Sequence, residues 1–226
     1  MRGCFVTGTD TGVGKTVLAS AIAAALRARR LTVRALKPVI TGLDDPPDPD
    51  WPPDHELLAR AAGCLPEQVF TAGYGPPVSP HLASELTGRP IEVDALLAAV
   101  DTARREAETL VVEGVGGLLV PITTDYNVRD LARDTGLPLV IASRCELGTI
   151  NHTLLTLEAA RAGGLTVAGV VLTPWPVSPD PVQRSNLSTI GLLGGAPVAT
   201  LGPVQRADPQ SLAAAGQTLP LDTWFS

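Results

Sequence analysis

The sequence predicts an α/β fold: a mostly parallel central sheet with helices on both faces. Three observations predict it. Short apolar or β-branched runs alternate with longer Ala/Leu-rich stretches along the chain. Those short runs are continuously apolar, as strands buried on both faces are. A glycine-rich segment stands between the first strand and the first helix, and such folds bind ligands at the carboxyl ends of their strands. Hydrophobic residues make up 45% and charged residues 18%, which suits a globular chain and not a disordered one. A length of 226 residues buries one sizeable core and is short for two, so one domain over 1–226 is expected.

The elements follow in order. Residues 3–7 read as the first strand. Residues 15–29 are Ala/Leu-rich with a basic end, which suits the negative pole of a helix. Residues 31–37 read as a second strand. The run D-D-P-P-D-P-D-W-P-P over 44–53 lacks the backbone donors of a helix or central strand and is expected to be a surface loop. Asp54 is placed to cap a helix over 55–62. Residues 66–80 read mostly as loop and 93–108 as helix. Residues 110–113 and 118–121 read as short strands around a glycine-rich turn. A short helix over 128–134 precedes a buried strand over 137–142. A helix over 149–162 ends at Gly163 and Gly164. A strand over 165–173, a helix over 181–193 and a last strand over 197–201 complete the pattern. No internal repeat is present.

Charge narrows the function. The formal net charge is −6 and the isoelectric point is near 5.0, a poor match to nucleic-acid phosphates or an acidic membrane. No apolar run approaches the ~18 residues of a spanning helix. The first residues turn polar by Thr7, so no secretory leader is expected. Cys4, Cys64 and Cys145 are far apart and lack Cys-x-x-Cys spacing. That argues against disulfide frameworks and zinc knuckles, and a reducing cytoplasm is expected. Arginine occurs fifteen times and lysine twice, at Lys15 and Lys37. A lysine retained in such a chain points to a place that needs a compact ammonium and not a planar fork.

Residues 8–16 read G-T-D-T-G-V-G-K-T, after a strand and opening a helix, the context of a phosphate-binding P-loop. Gly12 and Gly14 let the backbone approach phosphate oxygens. Successive N–H groups and the helix N-terminus form an anion cradle. Lys15 adds a point charge toward the outer phosphates, and Thr16 offers a hydroxyl to Mg²⁺. The standard spacing is G-x4-G-K-[ST]. Here Thr9 stands at its first position and the glycine comes one residue earlier, at Gly8. A P-loop NTPase-like single domain is the resulting expectation.

Four segments then resemble the dethiobiotin synthetase family: V-T-G-T-D-T-G-V-G-K-T (6–16), K-P-V-I-T-G (37–42), V-E-G-V-G-G-L-L-V-P (112–121) and L-G-T-I-N-H-T-L-L-T (147–156). The first fits many P-loop ATPases; the second and fourth together are far more specific. The resemblance spans nearly the whole chain. It implies joining of 7,8-diaminononanoate to CO2 with ATP, through a carbamate and a carbamic–phosphoric anhydride, with Mg²⁺. It implies Lys37 and Lys15 as the catalytic pair, because carbamate and γ-phosphate are both anionic and need concentrated positive charge.

The same resemblance places nucleotide contacts on Gly12, Val13, Gly14, Lys15, Thr16 and Val17. Further contacts fall on Asp54, Glu113, Gly114, Val115 and Gly116, then on Thr173, Pro174, Pro203, Val204 and Gln205. Thr16, Asp54 and Glu113 form the implied metal set. A buried acid at Glu113 is costly without such a partner. Thr11, Lys37, Thr41, Leu147, Gly148 and Asn151 form the implied substrate set, with 147–151 supplied across a homodimer interface. Asn151 reads equally as ligand or helix cap. His152 reads as a packed or capped side chain. Some relatives carry Glu at Gly12, and many place Asn to read adenine where Thr173-Pro174 stands here. The base therefore stays open between ATP and another triphosphate such as CTP.

Two other readings fit a P-loop. A MinD/ParA-like switch ATPase, regulated by a partner, usually carries a second lysine where Thr9 or Asp10 stands, and often a basic amphipathic tail, which 219–226 is not. A cobyrinate-type amidotransferase needs a glutaminase domain that this length does not hold. No nucleic-acid or membrane partner is expected.

Overall fold

Apolar strands that alternate their side chains between two layers of helices give the chain its architecture. The computed structural model describes residues 2–46, 48–49 and 51–225. The elements are β1 (Arg2–Gly8), α1 (Lys15–Ala28), β2 (Val33–Leu36), β3 (Val39–Ile40), α2 (Asp54–Ala62), β4 (Ala72–Gly73), α3 (Pro80–Thr87), α4 (Val93–Glu106) and β5 (Thr109–Gly117). They continue with α5 (Val128–Thr135), β6 (Leu139–Ser143), α6 (Thr149–Ala162), β7 (Val167–Leu172), α7 (Pro181–Leu193), β8 (Val198–Thr200), α8 (Pro209–Gly216) and α9 (Leu221–Trp224). Six strands form one sheet in the order β2-β5-β1-β6-β7-β8, and every pairing in it is parallel. Strands β3 and β4 form a separate parallel pair beside it.

The period of two explains the apolar runs. Cys4 and Val6 of β1 face the α1 side while Phe5 faces the other. Val140 and Ala142 of β6 join the first layer, and Leu139 and Ile141 the second. Neither face meets water, so no polar alternation survives in the sequence. Helix α1 is alanine-rich for a related reason. It is enclosed by the sheet, α2 and α8, and its Ala21, Ala23 and Ala25 are wholly buried.

Several elements differ from expectation. The strand expected over 110–113 is longer, β5, and runs on through the glycines to pair Gly117 with Gly8, whereas the strand expected over 118–121 does not form. After it the chain turns, with Val120 N–H donating to the Gly117 carbonyl, and Pro121 keeps one antiparallel bridge to Asn127. Asp54 is not a cap: Pro53 holds that place without a side-chain cap bond, and Asp54 is the first helical residue. The loop over 44–53 is a loop where described; Pro47 and Asp50 lie outside the described residues, as do Met1 and Ser226. Helices α3 and α8 are not among the elements expected from the sequence. Both carry a signal, a proline at the first helical position, and α8 also has Asp208 accepting from Ser211 N–H as its cap. Among the described residues no helix is long and apolar enough to cross a membrane.

Candidate active site

Sheet register builds the site. Strand β2 lies beside β5 with Leu36 opposite Val112, so the next pair outward is Lys37 and Glu113. Strand β1 flanks β5 on its other side, with Val6 opposite Glu113, and delivers the phosphate loop next to the same carboxylate. Gly12 and Gly14 hold that loop at φ 71° and 85°, left-handed backbone that a side chain would strain. Lys15 and Thr16 open α1, and Asp54 opens α2.

The side chains converge. Lys37 is 6% exposed, and its Nζ donates to Glu113 Oε1 at 2.8 Å and to Asp54 Oδ2. Thr16 Oγ1 donates to the same Glu113 Oε1 at 2.8 Å. Lys15 Nζ turns onto the loop and donates to the Asp10 carbonyl at 2.8 Å. Burial pushes the Glu113 carboxyl above the usual carboxylate range, and the Lys37 ammonium offsets this only in part. Burial also disfavours charge on Lys37, but the Glu113 and Asp54 carboxylates outweigh it and raise the ammonium. For Asp54 burial opposes ionisation, yet Lys37 holds it below its ordinary value. Lys15 is lowered, chiefly by burial, with Glu113 pulling the other way.

A cleft of about 620 Å³ lies over these groups. Thr11, Gly12, Gly14, Lys15, Thr16 and Val17 line it from the loop, Lys37 and Thr41 from the β2–β3 side, and Asp54, Val115 and Gly116 from opposite. Val13 and Gly114 do not line it. The Val13 side chain is 1% exposed, and a side chain at Gly114 would meet Phe5 and Val128, so any part they take is through backbone. Thr173 packs against Gly14, closing the loop's far side. Pro174, Pro203, Val204 and Gln205 are not among the cleft-lining residues; Val204 packs against the core on the α1 side.

A second depression, of about 450 Å³, shares Thr11 and Val120 with the first. Its walls include Leu118, Leu119, His152 and Leu155. Sequence reasoning missed it as a groove, and His152, expected to be packed or capped, is exposed at its edge. Leu147, Gly148 and Asn151 line neither depression. Gly148 precedes α6 in the cap position, so Asn151 is not the cap and stands exposed on the helix's first turn.

The wall between the loop and α6 is held by hydroxyls that nothing in the sequence singles out. Ser143 Oγ, wholly buried at the end of β6, lies 2.7 Å from Thr149 Oγ1, 2.8 Å from Thr153 Oγ1 and 3.4 Å from Thr9 Oγ1. Thr149 Oγ1 donates to the Arg144 carbonyl at 2.7 Å, so its proton is spent. Ser143 must therefore donate to Thr149, and Thr153 to Ser143. Arg144 itself reaches back to Asp10 Oδ2 at 3.2 Å.

A family model described as an AAA domain matches residues 2–208. The ATP-dependent dethiobiotin synthetase BioD of Anaeromyxobacter dehalogenans (strain 2CP-1) is 40% identical over 85% of this chain and 86% of its own. That of Bacillus subtilis subsp. natto is 35% identical over 90% of this chain and 87% of its own. The chain belongs to the ATP-dependent dethiobiotin synthetase family.

Solved structures agree on the fold. The chain resembles the MinC:MinD cell division protein complex of Aquifex aeolicus with a TM-score of 0.57, 14% identity, and coverage of 99% of this chain and 94% of that one. It resembles a ParA family ATPase from Chlorobium tepidum TLS with a TM-score of 0.52, 13% identity, and coverage of 97% and 92%. At such identity these show a shared P-loop fold and nothing of function. The dethiobiotin synthetase family motifs at 37–42 and 112–121 fall where β2 and β5 bring Lys37 and Glu113 together.

Proposed function

We propose that this chain forms dethiobiotin from 7,8-diaminononanoate, CO2 and ATP, as a cytoplasmic enzyme acting through one domain over its whole length. One observation carries the reading: the two lysines of the sequence lie around one phosphate-loop cleft, beside two carboxylates and a threonine hydroxyl. A switch ATPase has no need of the Lys37 arrangement.

The chemistry assigns each group a task. One substrate amine adds CO2 and loses a proton to become a carbamate. A carbamate oxygen attacks the γ-phosphorus, and ADP leaves with the bond electrons. The second amine attacks the anhydride carbonyl, phosphate departs, and the ureido ring closes. Each step before ring closure gathers anionic oxygens, so Lys15 neutralises the phosphates and Lys37 the carbamate and the transferring group. The loop N–H groups hold the β- and γ-phosphates without demanding a counter-charge. Thr41 and Thr11 hold the diamine end. The apolar walls around Leu118, Leu119 and Leu155 suit the alkyl chain.

Mg²⁺ fits the donor set. Thr16, Asp54 and Glu113 offer hard oxygens, and Glu113 Oε2 is buried with no hydrogen-bond partner. When bound, the ion supplies charge neutralisation at the phosphate oxygens. A homodimer would bring the turn at 147–151 to the substrate carboxylate at a helix N-terminus. Leu147 at 88% and Leu155 at 60% exposure are large apolar surfaces that a partner copy would cover.

The test is product formation. Purified protein with diaminononanoate, bicarbonate, Mg²⁺ and ATP should release ADP and phosphate in step with dethiobiotin, detected by mass. The same assay with CTP reads the base preference. Nucleotide hydrolysis that ignores the diamine and rises with DNA, lipid or a protein partner would favour the switch reading and overturn this one.

A further inference from the structure

The proposed metal donors do not stand ready for a metal. The Lys37 ammonium lies between Asp54 and Glu113 and donates to both. The Thr16 hydroxyl donates to the same Glu113 oxygen that Lys37 uses. All three donors are thus turned toward one another or toward Nζ. In charge, the Asp54 and Glu113 carboxylates already offset the two ammoniums of Lys15 and Lys37, and Asp45 adds a third carboxylate to the cleft wall, so the cleft has no net positive charge before any ligand arrives. A cleft without net positive charge is a poor receiver for a triphosphate and a carbamate. A divalent cation on the two carboxylates would balance them alone and free both ammoniums for anionic ligands. Repulsion between such an ion and Nζ disfavours holding both cations on the same pair of carboxylates.

Lys37 has somewhere to go. Its side chain already borders the cleft, together with Thr41 and Lys15. Asp54 supplies the open side of the arrangement, with its side chain 49% exposed while that of Glu113 is fully buried. Glu113 Oε2, buried and unpartnered, is the position a cation gains beyond what the ammonium already uses.

We propose that Lys37 is the resident counter-cation of the Asp54–Glu113 pair in the metal-free protein, and that arrival of the divalent cation displaces Nζ into the cleft, where it meets the carbamate and the transferring phosphoryl group. The proposal rests on the donor set named under the proposed function. Its consequence is an order of events. Metal must be seated before the second substrate finds its lysine, so metal–nucleotide and diamine bind with positive coupling.

The experiment measures metal binding without turnover. Mn²⁺ is titrated into nucleotide-free protein, with free Mn²⁺ read by electron paramagnetic resonance. Because Lys37 holds the parent in a form that cannot bind, the apparent affinity is reduced by that fraction. Compared at a pH where both carboxylates of the variant are ionised, Lys37→Met should therefore bind Mn²⁺ about tenfold more tightly than the parent, and Glu113→Gln should weaken binding in both backgrounds. Equal affinity in parent and Lys37→Met would overturn the proposal while leaving the donor set intact. Absence of saturable Mn²⁺ binding in every protein, with or without a non-hydrolysable nucleotide, would overturn the donor set itself and this proposal with it.

A second measurement needs no substitution at Lys37. With two lysines in the chain, ¹⁵N-lysine labelling gives two side-chain Nζ signals, and Lys15→Met assigns them. The Lys37 signal should be protected from solvent exchange in the metal-free protein and move as Mg²⁺ saturates. A Lys37 signal unmoved at saturation would overturn the displacement.

Discussion

Removal of the Lys37 ammonium offers a test of the site's electrostatics that is independent of activity. Lys37→Met keeps the length of the stem and deletes the charge. Glu113, fully buried, then keeps only the Thr16 hydroxyl on Oε1 and nothing on Oε2. Breaking a buried pair from one side typically costs about 3–5 kcal/mol. Glu113 has a way to limit that cost, which is to take up a proton. Its ordinary value is 4.5, so holding it neutral in the folded state at pH 7 costs about 3 kcal/mol. The two magnitudes agree, and the second makes the deficit depend on pH. Between pH 5 and 7 the folded variant binds a proton that its unfolded chain does not, so its stability falls as pH rises. Burial already raises Glu113 in the parent, so the deficit against it should be at most about 3 kcal/mol at pH 7 and should shrink to under about 1 kcal/mol at pH 5. Urea unfolding followed by tryptophan fluorescence reads it directly. With a slope near 2–3 kcal/mol per molar urea, the midpoint should drop by roughly 1–2 M at pH 7 and by a few tenths at pH 5. Adding Glu113→Gln to the variant should recover much of the loss at pH 7 and flatten the pH dependence. A parent-like midpoint at pH 7, or a deficit that does not change with pH, would refute the picture of a buried carboxylate held charged by Lys37.

Other expectations follow from the same structure. Lys37→Arg should lower turnover by about a hundredfold or more while nucleotide affinity by calorimetry stays within a few-fold, since a planar fork does not replace a compact ammonium between two anions. Gly216→Ala should cost about 1–3 kcal/mol in chemical denaturation, because the new Cβ would stand 2.6 Å from the Ala21 carbonyl carbon and 2.9 Å from Ala25 Cβ, where α8 crosses α1. Asn127→Ala should cost about 1 kcal/mol by loss of the α5 cap, in which Asn127 and Asp130 bond each other's backbone N–H. Ser143→Ala should cost about 1–3 kcal/mol by stripping the Thr153 hydroxyl of its acceptor, a loss that thermal unfolding would show.

Much of this molecule is legible in its amino-acid sequence. The boundaries at Thr149–Ala162 and Pro181–Leu193 coincide with those expected from the residues because capping residues, glycine stops and helical period all act within a few residues of one another. The phosphate loop is legible for the same reason: nine consecutive residues carry the turn, the cradle and the lysine. The rarity of lysine singles out Lys15 and Lys37 from composition alone.

What only tertiary structure decides is which distant segments become neighbours. Nothing local to 37 or to 113 says that β2 pairs with β5, yet that pairing sets the ammonium against the carboxylate. Nothing local to Asp54 says that its side chain leaves the helix end it is placed to cap and turns to Lys37. Ser143 lies just past the strand expected over 137–142, and only the folding of α6 brings its threonines onto it. Short-range signals are energies between residues adjacent in the chain; pairing across a sheet is chosen by the burial of both faces at once, and the sequence holds that choice in no single place.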